Sequence, residues 1–422
     1  MKQIIVWNDM KETVDFVINE ICDRLKPGPL PVLPPTVPLS EPGCCLPLGL
    51  FTPVDKCSPG YADEDLCEKV KNLEQILKDF NIDAAVNCVS IGSSVNRYEL
   101  ELGLGMRIND VMSLADDLAF RLAVPAVRMI PRIKGKTVIG IEVPNGHKRL
   151  LHIREILDDM AVRDNHSLLC VGIGKDVDGK VITINMEQIP HLLITGTVGS
   201  GKSVCVDALL TGLMYKALPN EVKFILIDTE VVNLAKYNGS PYMYKPVITD
   251  VKEAVSTLKW AVNEMEQRVE LLKKNNVTDL KTYNQQTAKH MMPIVIVVNE
   301  LKHIMRQSWI YVEAAIDSLA QKGSICGIHM ILATKHITED VITGIVRENI
   351  PSRIAFAVSS RKESQLVLGR DGAEKLIGQG DMLYCPEGTK DPLRVQGAYV
   401  SDEEVDRVAE YVKKQAEKYP ME

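Results

Sequence analysis

At 422 residues, 45% of them apolar and 25% charged, the chain has the composition of a globular protein with a sizeable core and room for two or three domains. A formal net charge of −7 excludes a generally basic coat, so any contact with nucleic acid has to come from local patches. No uninterrupted apolar run approaches the roughly 20 residues of a membrane-spanning helix, and Asp9, Lys11 and Glu12 interrupt the N-terminus before a signal-peptide core can form.

Residues 9–25 carry Val14, Val17, Ile18, Ile21 and Leu25 at helical spacing after a short apolar strand, giving an N-terminal strand/helix element over 1–25. Ten of the 22 prolines then fall between Pro27 and Pro59. Proline removes backbone donors and fixes φ, so residues 26–62 read as an extended Pro-rich linker, a tether in preference to a docked segment. Cys44, Cys45, Cys57 and Cys67 form the only local cysteine cluster, their spacing fits no zinc pattern, and no C-x-x-C occurs. A reduced, cytoplasmic interior fits this usage.

From residue 63 the pattern turns globular. EDLCEKVKNLEQILKDF sets Leu66, Val70, Leu73, Ile76, Leu77 and Phe80 on one helical stripe. VNCVSIGSSVNRYELEL reads as two strands around Gly92, NDVMSLADDLAFRLAV as one helix, and VRMIPRIKGKTVIGIEVPN as two further strands. These make a small α+β domain over 63–144. Beyond it the apolar runs HLLITG, FILID, IVIVV, HMILAT and RIAFAV alternate with helical stretches, which predicts an α/β domain over 145–400 built on a mostly parallel sheet. SDEEVDRVAEYVKKQ opens with a capping box at Ser401 and Glu404 and closes the chain as a C-terminal helix over 401–422.

One segment carries chemistry directly. HLLITGTVGSGKSVCVDALL matches G-x-x-x-x-G-K-[ST] over Gly196, Thr197, Val198, Gly199, Ser200, Gly201, Lys202 and Ser203, with a strand before it and a helix after. The glycines let the backbone wrap until successive N–H groups point at phosphates, and the helix N-terminus adds positive potential. Lys202 then reaches the β/γ oxygens of ATP, and the Ser203 hydroxyl becomes a Mg2+ ligand. A P-loop needs acids on a second strand. PIVIVVNEL ends in Asn299 and Glu300: Glu300 can polarise a water, whereas Asn299 can meet Mg2+ only through a water and lacks the charge a hard cation favours. FILIDTE offers Asp228 and Glu230 as a rival pair, with Asp228 the alternative metal arm.

Taken in order, VNRYELELGLG, KGKTVIGIEVPN, IPHLLITGTVGSGKSV, LAQKGSICGIHMILAT, DVITGIVRENIPSRIAFAVSS and GAEKLIGQGDMLY resemble the motor of the FtsK/SpoIIIE family of DNA translocases across about residues 64–415. The resemblance implies a RecA-like P-loop NTPase domain preceded by a small α module, assembled as a hexameric ring that moves double-stranded DNA at the expense of ATP. Against that pattern, Asn299 stands in place of an aspartate and Ser324 in place of an arginine that acts on the neighbouring subunit's nucleotide. Lys335-His336-Ile337 replaces Gln-Arg-Pro, and Glu230 replaces a lysine.

The segment after VSS lies near the DNA pore in such proteins, which makes Arg361 and Lys362 the candidate phosphate contacts. Charge alone does not argue for them, since basic and acidic residues between 335 and 375 stand at seven to six. The N-terminal membrane anchor and C-terminal winged-helix module common in the family have no counterpart in the sequence, so membrane attachment is left to a partner. Two readings stay open, an active translocase and a hydrolysis-impaired ATP-binding subunit of a ring. A metabolic P-loop kinase is disfavoured, because the family-like segments after residue 319 leave no space for an acceptor site.

Overall fold

The computed structural model describes residues 46–53, 63–133, 135–145, 149–230, 233–389 and 391–418. The N-terminal strand/helix and most of the Pro-rich stretch lie outside these residues. Among them, two sheets organise the molecule. The smaller is four-stranded and antiparallel in the order β1-β2-β4-β3, from β1 (Ala84–Ile91), β2 (Val95–Leu102), β3 (Arg128–Ile130) and β4 (Ile139–Pro144). The helix Asp63–Asp79 lays Leu73, Ile76 and Leu77 onto this sheet against Leu100, Leu118 and Ile141. NDVMSLADDLAFRLAV is not one helix. It breaks into Ile108–Met112 and Ala115–Arg121, with the Ser113 hydroxyl turned back to donate to the Asp110 carbonyl, a local bond that competes with helix propagation.

The larger sheet has nine strands: β5 (Cys170–Asp176), β6 (Val181–Asn185), β7 (His191–Thr195), β8 (Lys223–Ile227), β9 (Ile294–Val298), β10 (Ile328–Thr334), β11 (Arg353–Phe356), β12 (Asp381–Cys385) and β13 (Leu393–Gly397). Their order is β6-β5-β13-β12-β11-β7-β10-β9-β8. The stretch β11-β7-β10-β9-β8 is parallel, and the other four strands continue it antiparallel. Every predicted apolar run is one of the five parallel strands. Their side chains alternate between two cores: Val295 and Val297 pack on one face, Ile294, Ile296 and Val298 on the other. Burial on both faces is why such strands read as unbroken apolar runs. Helices Lys202–Lys216 and Asp402–Lys418 cover the first face, Val251–Lys274 and Leu301–Lys322 the second.

The antiparallel continuation was not foreseen; its clearest signal is the Asp178-Gly179 turn between β5 and β6, where Gly179 has φ +80°. The expected capping box is present: Ser401 N–H donates to Glu404 Oε2 at 2.9 Å and Glu404 N–H to Ser401 Oγ at 3.2 Å. The tether reading fails for residues 46–53. Leu46 and Phe51, 1% and 2% exposed, sit in the core of the large sheet. Thr52 N–H donates to Glu404 Oε1 at 2.7 Å and Arg407 Nε to the Leu50 carbonyl at 2.9 Å. Two large apolar side chains outweigh what the proline-rich composition suggests, since burying each is worth about 1.5–3 kcal/mol.

A buried ionic chain joins the two sheets. Glu142, at the end of β4 and without exposure, accepts from Arg97, Arg128 and Arg394; Arg394 also grips both oxygens of Asp381 at 2.9 and 2.7 Å. Burial alone would push the Glu142 carboxyl up, but the guanidinium groups of Arg128, Arg394 and Arg97 outweigh it and hold it down at about 2.

Candidate functional site

The loop Gly196–Gly201 leaves the C-terminal end of β7, in the middle of the parallel block, where open α/β sheets carry their sites. It is pinned from two sides. Thr197 donates through N–H and hydroxyl to the Ala357 carbonyl beyond β11, each at 3.0 Å, and Gly380 N–H donates to the Ser200 carbonyl at 2.9 Å. Gly201 caps the following helix at φ +113°, and a Cβ there would fall 2.6 Å from Gly380 N. Both the dihedral and the close approach require glycine. Gly199 has φ +78° with open space around it, and Val198 at the tip is 85% exposed. The result is a rigid, open cradle of amides at a helix N-terminus.

Lys202, on the first turn of that helix, extends to the end of β9 and donates to the Asn299 carbonyl at 3.2 Å. It is 8% exposed; burial draws its pKa down while Glu300, Glu230 and Asp228 draw it up and Lys335 adds to the fall. Ser203, one residue on, is half-buried. Lys202, Glu300 and Asn299 are therefore brought into one place, although β10 separates β7 from β9.

Glu300 is 1% exposed and heavily oriented. Its Oε1 accepts from the Thr334 hydroxyl at 2.6 Å, and its Oε2 from the Lys335 N–H at 3.2 Å. Thr334 ends β10 and was missed by sequence reasoning; its position beside the P-loop strand, paired with Thr195, is the signal that strand order supplies. Asn299 is 1% exposed. Its Nδ2 donates to Asp228 Oδ1 at 3.1 Å, and its Oδ1 is buried with no partner among the described residues. Asp228 is wholly buried, and its Oδ2 accepts from the Asn233 and Leu234 N–H groups, both at 2.9 Å. Each Asp228 oxygen is thus engaged in holding the loop after β8 and the Asn299 amide.

Beyond these, Lys335 forms an ion pair with Glu230, and Lys302 Nζ meets His336 Nδ1 at 3.0 Å. Arg361 and Lys362 are exposed on the first turn of the helix Arg361–Leu368, which Ser360 caps. Ser324 precedes β10, whose seven residues separate it by about 20 Å from the P-loop end of the sheet. It cannot act on its own chain's cradle. Among the described residues no group of three or more His, Cys, Asp or Glu could hold a metal ion.

Comparison with known proteins places these features in context. Residues 152–310 match the FtsK/SpoIIIE family and residues 47–145 the FtsK alpha domain. A DNA translocase FtsK of Caldanaerobacter subterraneus is 45% identical over 357 residues, covering 84% of this chain and 50% of the relative. A DNA translocase FtsK of Haemophilus influenzae is 40% identical over 374 residues, covering 82% of this chain and 71% of the relative. Among solved structures, the pCW3 conjugation coupling protein TcpA, in a monomer form with ATPgS, superposes with a TM-score of 0.59 at 20% identity. That likeness covers 82% of this chain and 99% of TcpA, and at such identity it speaks for the fold. The chain spans about half the length of most of the curated relatives it matches.

Proposed function

This chain belongs to the FtsK/SpoIIIE family, and we propose that it is the motor part of an ATP-driven translocase of double-stranded DNA, working as a hexameric ring. The observation that carries the reading is the contact of Lys202 Nζ with the Asn299 carbonyl, which sets the phosphate-binding lysine beside the oriented carboxylate Glu300. Gly196–Gly201 and Lys202 receive the triphosphate. Glu300, fixed by Thr334 and the Lys335 N–H, orients a water for in-line attack on the terminal phosphoryl group.

Mg2+ bound together with ATP would neutralise charge on the phosphate oxygens. The Ser203 hydroxyl and, through a water, the unpartnered Asn299 Oδ1 would hold it. Neither donor is charged, so the ion would be held mainly by the substrate phosphates and its own waters. Asp228, spent on three hydrogen bonds, is the weaker candidate.

Arg361 and Lys362 would track DNA phosphates without reading bases, so binding should weaken steeply with salt. No helix among the described residues is long and apolar enough to cross a membrane. Residues 63–144 and 145–400 are its two modules. The Asn299–Asp228 bond favours a second reading, an ATP-binding ring subunit with slow hydrolysis, because it ties up the amide where an acid would serve the metal.

The deciding experiment is the ATPase rate with and without linear duplex DNA, with Lys202→Ala as control. Stimulation of tenfold or more, abolished in K202A, is the expected result. Nucleotide binding without turnover would select the second reading, and absence of binding to ATP would overturn both.

A further inference from the structure

Resting on that reading of the site, we propose that Lys335, which pairs with Glu230, is a second catalytic cation that a bound nucleoside triphosphate draws from the carboxylate onto its terminal phosphoryl oxygens. Lys335 directly follows β10, the strand between the P-loop strand and the strand that ends at Glu300. The register pairs Thr334 with Thr195, so Lys335 emerges level with Gly196, the first residue of the cradle. Its backbone already serves the reaction centre, through the N–H that fixes Glu300 Oε2 at 3.2 Å. Its side chain turns toward β8, where it pairs with Glu230. The charges of both members of this pair reach Lys202.

The pair differs from the molecule's structural ion pairs in the property that matters for exchange. Glu142 and Arg394 are 0% and 3% exposed, whereas the Lys335 and Glu230 side chains are 27% and 25% exposed. A partly solvated lysine–carboxylate contact is held less tightly than a fully buried, multiply bonded pair, so a multiply charged phosphate displaces the carboxylate readily. Lys202, by contrast, rests on a neutral carbonyl and needs no release. The four-carbon stem of lysine lets its ammonium swing as a point charge. In the reaction, water adds to the terminal phosphorus, the bond to the bridging oxygen of ADP breaks, and the proton leaves through Glu300. Lys335 forms no bond; it offsets charge on the phosphoryl oxygens as it develops. With the uncharged Ser324 in place of the arginine that the family resemblance implies, Lys335 gives the site a second cation from its own chain.

Nucleotide affinity and turnover of Lys335→Met and Glu230→Gln test the idea, using the full chain with linear duplex DNA, Mg2+, ADP and a non-hydrolysable ATP analogue. Both side chains are partly exposed, and melting by circular dichroism checks that the variants fold. K335M should lose 10²-fold in kcat, the scale of one removed charge-stabilising donor. It should bind the ATP analogue about tenfold more weakly and leave ADP within threefold, since ADP lacks the phosphate in question. E230Q should tighten the analogue severalfold and leave ADP unchanged. A K335M kcat within threefold of the parent, or equal shifts for ADP and the analogue, overturns the inference and leaves the motor reading standing. If the parent turns over too slowly to measure, the ADP-against-analogue comparison decides alone. A parent that binds neither nucleotide overturns the functional reading and this inference together.

Discussion

The substitution Asn299→Asp puts an acid where a P-loop ATPase would hold one, yet the structure predicts that it destabilises the protein. Asn299 Nδ2 donates to Asp228 Oδ1 at 3.1 Å, and both residues are at most 1% exposed. An aspartate there removes the donor and sets two carboxylates face to face. At an effective dielectric of 20, two full charges 3.1 Å apart repel by about 5 kcal/mol. Relaxation and sharing of one proton reduce this, and a net loss of about 2–4 kcal/mol is expected, or several degrees in Tm. The shared proton fixes the pH sign. The new carboxyl has its folded pKa raised, so the folded state takes up protons and the deficit against the parent shrinks as pH falls from 8 toward 5. Mg2+ with an ATP analogue should also narrow the gap if position 299 meets the metal. Thermal melts of parent and N299D at pH 8 and pH 5.5, with and without Mg2+ and the analogue, read all three effects. A variant that melts within about 1 °C of the parent at both pH values refutes the reasoning, because the 3.1 Å contact would then carry no energy.

Other perturbations follow from the same geometry. Glu142→Gln removes the carboxylate that faces three guanidinium groups, two of which keep a second carboxylate in Asp178 and Asp381, and should cost about 3–5 kcal/mol in urea unfolding; the parent should keep Glu142's contribution above pH 4.5 and lose it as pH falls toward 2. His191 and His329 are buried on adjacent strands, burial holding them down at about 4 and about 3, with His191 adding to the fall at His329. Unfolding raises their proton affinity, so stability should fall as pH drops below 6.5. At about 1.4 kcal/mol per tenfold in affinity, His191 alone accounts for about 3 kcal/mol by pH 4. His191→Gln should flatten urea midpoints measured between pH 6.5 and 5. Phe51→Ala should cost about 3–5 kcal/mol because the ring is buried, where truncation in a tether would cost almost nothing; a Tm comparison with the parent reads the difference.

The parts of the fold that could be read from the sequence are those where one local constraint leaves few residue types. Gly201 must be glycine both for its φ and for Gly380, so the P-loop shows itself. β9 is buried on both faces, so IVIVV shows itself, and Ser401 with Glu404 announces a helix start. What stayed hidden depends on strand order. Asn299 and Asp228 are 71 residues apart in sequence, Lys335 and Glu230 105, and each pair meets only because β8, β9 and β10 are neighbours. Polar strand ends concealed β12 and β13, whose outer neighbours are the β5 hairpin and β11. Leu46 and Phe51 were hidden by the prolines around them.

That last anchor decides where a pull on the leading end of the polypeptide would be felt. Leu46 and Phe51 are seated under the closing helix, with Arg407 and Glu404 gripping the backbone between and beside them. Tension applied ahead of residue 46 would therefore load the core under the closing helix as a shear on that plug, before the helix Asp63–Asp79 and the sheet it packs on carry any of it. An attachment made through this end would tow the nucleotide-binding body by its closing helix.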